Sequence, residues 1–231
     1  MLFLKHKESM SEKEKDMLKK VMMYYELNRD IFVNYYSISE KKKIIYDVFS
    51  SLNYDKVPNL VSANNSELSN IKIYRGISAK DEELLINYVD DFLNGKIFFG
   101  KRASIYGTGI YTTIGDSTLA KDYSSDGGTN SCGVVIESNL KIAAKVIDYN
   151  KIGELRNFLV KKLKESYKED ISNFLSILDD DGAFAAILGY DAILVNEKNY
   201  LIVLNRGQLV VNDSYLFSQL EGISKGKPFN I

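Results

Sequence analysis

The sequence predicts an α+β fold in which an N-terminal helical segment precedes a sheet-containing domain. Two observations lead there. Residues 11–54 carry apolar side chains at helical spacing behind capping signals. From residue 69 onward, short alternating runs recur, joined by hairpins and interrupted by helices, without the regular β-α alternation of a doubly wound sheet. The turn formers of residues 58–66 separate the two textures and set the expected division at residues 1–68 and 69–231.

Each element has its own warrant. Ser11 with Glu14, and Ser37 with Glu40, have the capping-box spacing in which hydroxyl and carboxylate each satisfy an orphan amide. Behind them Met17, Leu18, Val21, Met22 and Tyr25 form one apolar stripe, and Ile44, Ile45, Val48, Phe49 and Leu52 form another. Residues 71–75 read as a strand ended by Gly76, and residues 78–94 as a helix with Gly95 as its stop. Further strands are expected at 97–99, 109–113, 133–138, 145–148, 192–195, 200–204 and 208–211, with helices at 151–168 and 179–188.

Composition narrows the classes. The chain has 231 residues, 45% hydrophobic and 26% charged, with a net charge of -1, which is ordinary globular material and argues against nucleic-acid binding through bulk charge. Cys132 is the only cysteine and His6 the only histidine. An intramolecular disulfide, a cysteine cage, a histidine triad and a multi-histidine zinc site are thereby excluded, and no metal is expected. The amino terminus lacks a signal-peptide core, and no run approaches membrane-spanning length. A cytoplasmic protein is expected, or one that other machinery delivers into a host cytoplasm.

The chemistry-bearing stretch is YGTGIYTTIGDSTLAKDYS, Tyr106 to Ser124. Glycines at 107 and 109 mark a place where the backbone needs positive φ or a close approach. They stand in a larger order: Tyr74, Arg75 and Gly76 at an early strand, then the Gly-Thr-Gly-Ile-Tyr run, a helix with Ala120 and Tyr123, and an apolar hairpin at 189–209. This order resembles the ADP-ribosyltransferase superfamily, which includes diphtheria-type toxins and the poly(ADP-ribose) polymerases. The loop between Tyr111 and Tyr123 is about one residue longer than in the polymerase-like members.

The resemblance covers roughly residues 71–212 and implies a split antiparallel sheet, NAD as co-substrate and no metal. It implies that Arg75 reads the NAD pyrophosphate or ribose through its planar fork of donors, and that the Gly76 backbone clamps the nicotinamide amide. Tyr111 and Tyr123 would wall the nicotinamide slot. Tyr74, Gly107, Thr108, Gly109, Thr112 and Thr113 would line the cofactor site. The family's hairpin carries a glutamate that holds the ribose and stabilises the cation formed as nicotinamide leaves. Here the chain departs: aligning on Gln208 puts Tyr200 at that position. Asp191, at the start of the preceding strand, and Glu197, in the turn, are the two acids that can substitute.

The expected function is mono-ADP-ribosyl transfer from NAD to a macromolecular acceptor, with a protein target favoured and a nucleic-acid or nucleotide acceptor left open. An NAD glycohydrolase, and a degenerate fold serving as a binding or inhibitory module, are the alternatives. The N-terminal helices are expected to recognise the target or cover the site, and the chain to be a monomer. The Asp179, Asp180, Asp181 run reads as helix capping rather than a metal cluster.

Overall fold

Both predicted helix starts are reciprocal capping boxes. Glu14 N–H donates to Ser11 Oγ at 3.3 Å and Ser11 N–H to Glu14 Oε2 at 2.7 Å, and Ser37 and Glu40 repeat the arrangement at 3.2 and 2.8 Å. They open α1 (Glu12–Val33) and α2 (Ile38–Ser51). The computed structural model describes residues 10–35, 37–51, 68–94, 105–125, 132–218 and 227–228. The expected strand at 97–99, the linker at 58–66, Leu52 and Gly95 lie outside the described residues.

The remaining elements are β1 (Leu68–Ala79), α3 (Glu82–Leu93), β2 (Ile110–Ile114), α4 (Thr118–Ser125), β3 (Cys132–Lys141), β4 (Val146–Asp148), α5 (Tyr149–Ser166), α6 (Ser172–Leu178), α7 (Asp181–Ile187), β5 (Ala192–Val195), β6 (Tyr200–Val203), β7 (Leu209–Ser218) and β8 (Lys227–Pro228). The class is α+β. Eight described strands form one sheet in the order β4-β5-β6-β2-β1-β3-β7-β8. Neighbours are antiparallel except for β4 and β5.

Three sequence expectations need correction. Gly76 does not end its strand: β1 continues to Ala79 because β3 offers it partners throughout, from Gly76↔Val135 to Ala79↔Cys132. The following helix starts at Glu82 rather than residue 78, where Asp81 accepts the Leu84 N–H at 2.9 Å as the N-cap. The expected helix at 179–188 is α7, which Asp180 caps, and a further short helix, α6, precedes it at Ser172–Leu178 where none was expected.

The sheet separates two apolar cores, and strand alternation feeds both. Leu201 and Val203 of β6 join Ile73, Val134, Ile136 and the α3 residues Leu85, Val89 and Phe92. Ile202 and Leu204 join a helical core built from α1, α2, α5, α6 and α7. The N-terminal helices belong to that second core: Val21, Tyr25, Phe32, Val48 and Phe49 are buried with Phe174, Ile177 and Phe184. Tyr25 and Phe32 both contact the Phe174 ring, with centroids 5.0 and 4.9 Å apart. Arg29 pairs with Glu169 and pins α1 to the loop before α6.

Removing α1 and α2 strips one wall from the helical core, so a chain beginning at residue 69 is expected to lose its sharp thermal transition. A cooperative melt of that fragment, followed by circular dichroism, would show instead that residues 69–231 fold alone.

Candidate functional site

The site begins where the sheet divides. β1 and β2 share only the register pairs Ile73↔Ile114 and Tyr74↔Thr113. Past that point β1 follows β3 to Ala79↔Cys132, while β2 follows β6 to Ile110↔Val203. A fork opens between them. The Lys72 carbonyl accepts the Gly115 N–H at 2.9 Å, on the β2 side. Because backbone polarity alternates along a strand, the N–H and C=O of Gly76 also face β2's side, at a level where β2 has already left.

Side-chain alternation sends Tyr74 and Gly76 to one face and Arg75 to the other. A Cβ at Gly76 would lie 2.0 Å from the Ala120 carbonyl oxygen, and one at Gly133 would lie 1.8 Å from that of Ser124, so α4 lies directly on these two glycines. On the opposite face the Arg75 guanidinium sits 5.5 Å from the Phe92 ring centroid and reaches across the fork to the Tyr111 carbonyl, with Nη1 donating at 3.1 Å. Its Nε is buried without a partner. Burial pushes its pKa down to about 10, so it stays charged at neutral pH, and no described carboxylate offsets it.

Arg206 was not anticipated from sequence. It is 4% exposed, lies 4.6 Å from the same Phe92 ring, and its Nε and Nη1 donate to the carbonyls of Phe92 and Leu209 at 3.1 and 2.6 Å. Burial also lowers its pKa to about 10. Its only sequence signal is an arginine at the end of an apolar hairpin.

The Gly-Thr-Gly stretch is held from below by α7. Gly107 has φ +86°, and a Cβ there would come within 2.2 Å of the Gly182 nitrogen; a Cβ at Gly182 would lie 1.8 Å from the Thr108 carbonyl oxygen. Asp180 caps α7 by accepting the Ala183 N–H at 2.8 Å. The same carboxylate accepts from the Thr108 N–H at 3.0 Å and the Thr108 hydroxyl at 2.8 Å. Gly109 is required by Ile202, whose Cγ2 would lie 2.5 Å from an added Cβ. The Tyr111 hydroxyl accepts from the Tyr106 N–H at 3.0 Å and donates to the Gly107 carbonyl at 2.9 Å. Thr112 and Thr113 are buried, their hydroxyls donating to the carbonyls of Leu201 and Asp116 at 2.6 and 2.9 Å.

Most of the residues expected to line a cofactor site are therefore occupied. Thr108, Thr112 and Thr113 have no free side-chain donor, and Gly107 and Gly109 answer to backbone packing. Tyr111 staples the loop and rests against the helical core. What the structure brings together on the α4 face is a set of tyrosines. Tyr123 is 56% exposed, and its hydroxyl lies 3.2 Å from that of Tyr200. The Tyr106 ring lies 6.2 Å from Tyr200 and edge-on to Tyr149 at 5.0 Å. The hydrogen bond to Tyr123, then burial, pushes the Tyr200 hydroxyl up to about 12, so it is neutral across the physiological range.

The two substitute acids fare differently. Both oxygens of Asp191 are engaged within the fold: Oδ2 accepts the Lys145 N–H and Oδ1 the Asn205 amide, each at 2.8 Å. It also precedes Ala192, which pairs with Val203 at the end of the hairpin away from Tyr200, about 10 Å along the strands. Glu197 is exposed on the turn at the Tyr200 end. That turn is fixed by Asn196, whose amide donates to Asp148 Oδ2 at 2.9 Å, and by the Asn199 carbonyl, which accepts the Ile114 N–H at 2.9 Å.

A third acid escaped the sequence reading. Glu137 is buried, faces Tyr74 across β1 and β3, and pairs with Lys72 Nζ at 2.7 Å. Burial first, and the Glu137 carboxylate second, raise the Tyr74 pKa. Among the described residues no helix is long and apolar enough to cross a membrane. No protein-family model, curated protein or solved structure matches the chain.

The two buried arginines should respond differently to an apolar replacement. Arg75→Met removes an uncompensated cation at the loss of one carbonyl bond, so its urea midpoint should move by no more than about 1 kcal/mol equivalent. Arg206→Met orphans two buried carbonyls and should cost about 2–3 kcal/mol. Asp180→Ala loses the α7 cap and the Thr108 tether together, with an expected cost of about 2–3 kcal/mol by the same denaturation.

Proposed function

We propose that the chain is a mono-ADP-ribosyltransferase that moves ADP-ribose from NAD to a macromolecular acceptor, with a protein favoured, and releases nicotinamide. The observation that carries this reading is the fork itself. A Gly76 backbone edge that no β2 register pair covers, the Arg75 guanidinium with an orphaned Nε on one face, and the exposed Tyr123 ring on the other flank the place where β1 and β2 part. A carboxamide needs one donor and one acceptor in a line, and Gly76 supplies both. A pyrophosphate needs a desolvated cation, and Arg75 lacks its anion. The parting of β1 and β2 within one mixed sheet supports the split-sheet core that the sequence resemblance implies.

In this reading nicotinamide binds between Gly76 and Tyr123, and Arg75 holds the phosphates. The bond between the nicotinamide nitrogen and the ribose carbon breaks, the pair of electrons leaves with nicotinamide, and the acceptor nucleophile attacks the ribose carbon and gives its proton to solvent. Most of the acceleration comes from positioning and from excluding water. Glu197 is the candidate that can approach the developing charge from the Tyr200 end. Tyr200, neutral, offers hydrogen bonds but no charge, which fits transfer of a single unit.

A second reading, a binding module without turnover, is favoured by one observation: the Tyr123 and Tyr200 hydroxyls bond to each other across the slot with no carboxylate between them. Incubation with labelled NAD and a cell lysate separates the readings. The transferase should label protein, Arg75→Met should abolish the label while staying folded, and Glu197→Gln should reduce it at least about tenfold. Equal labelling by Arg75→Met overturns the site; nicotinamide release without labelled protein points to a hydrolase; and NAD binding without release leaves the binding module.

A further inference from the structure

The outer face of α1 has no role in the core or the fork. Its inner face is spent, since Met17, Val21, Tyr25 and Phe32 are buried. Opposite them Met23, Leu27 and Ile31 are 57%, 75% and 49% exposed, one helical turn apart, so they form a single stripe. Val33 and Ile38, 54% and 77% exposed, lie near the corner where α2 begins. The helix bends at Asn28, whose amide donates back to the Tyr24 carbonyl at 2.9 Å, and the stripe runs past that bend. Large apolar side chains exposed in register along one face, rather than scattered singly, make a surface that a partner can cover. Helix propensity does not require it, because lysine and glutamate serve a solvated helix equally well.

The charges along the stripe are self-complementary. Exposed Lys19 and Lys20 precede the apolar positions, and exposed Asp30 lies among the last of them. An antiparallel second copy, centred between Met23 and Leu27, sets each Met23 against the other Leu27. The same offset sets each Lys20 against the other Asp30. A parallel copy would oppose like charges, and a partner of uniform charge would be repelled at one end. Among the described residues Lys20 pairs with Asp16, at 2.9 Å with both side chains well exposed, a contact that exchanges at little cost.

We propose that the chain forms a two-fold antiparallel homodimer through the outer face of α1, in place of the expected monomer. The surface is independent of the NAD reading. One helix pair buries less than a standard interface, so the dimer is weak and reversible, with a dissociation constant on the order of 10–100 µM. Sedimentation velocity of the full chain from about 5 to about 500 µM brackets that constant. Wild type should shift from monomer to dimer across the range. Leu27→Glu should remain monomeric throughout with an unchanged melt, since Leu27 is outside the core. Lys20→Asp should weaken the dimer at least about tenfold, and Lys20→Asp combined with Asp30→Lys should restore it. A wild type that stays monomeric, or a dimer that survives Leu27→Glu, overturns the proposal; a charge swap that fails to restore association overturns the antiparallel register.

Discussion

The two-residue junction between β1 and β2 is the constraint on which the rest of the site depends. A fully paired sheet would close the Gly76 amide edge against β2 and leave no gap for Arg75 to cross. With only Ile73 and Tyr74 paired to β2, each strand is instead secured by its other neighbour, β1 by β3 and β2 by β6. The fork is therefore built from strands that are individually well held. Backbone groups turn sideways into it while side chains leave on both faces, so a single opening serves two chemically different walls.

Those walls handle charge differently. Arg206 is buried yet satisfied, and one of its partners, the Phe92 carbonyl, belongs to the last turn of α3, where the helix dipole favours a cation. Arg75 shares the same ring but has one carbonyl and an orphaned Nε. A fold can carry one such group when the surrounding structure over-determines it, and here β3 and α3 do so. The Tyr200 hydroxyl on the opposite wall adds hydrogen bonding without adding charge.

What was legible in the sequence was local. Capping boxes at Ser11 and Ser37, the α1 stripe, the α2 stripe from Ile44 to Phe49 and the hairpin at β5 and β6 each depend on residues a few positions apart, and the structure shows each. Length and partners were harder. β1 runs past Gly76 because a strand far along the chain pairs with it, and α6 hides in a stretch with no side-chain cap. Gly107 and Gly109 announced a close approach but not its partners, Gly182 and Ile202, which only the tertiary fold supplies. Asp191 illustrates the same limit. Its position near a hairpin suggested a catalytic carboxylate, whereas the two donors that occupy it, Lys145 N–H and the Asn205 amide, come from different parts of the chain.

An open strand edge is also a hazard, because the groups that can hold an amide can equally recruit a foreign strand and seed aggregation. The glycines under α4 bear on this. With no side chains at positions 76 and 133, the helix settles directly onto the sheet and roofs one side of the fork, while α3 floors the other. In the proposed reading, a gap bounded in that way would favour a flat, narrow group over an extended chain with side chains on both faces, and the two glycines would set its width.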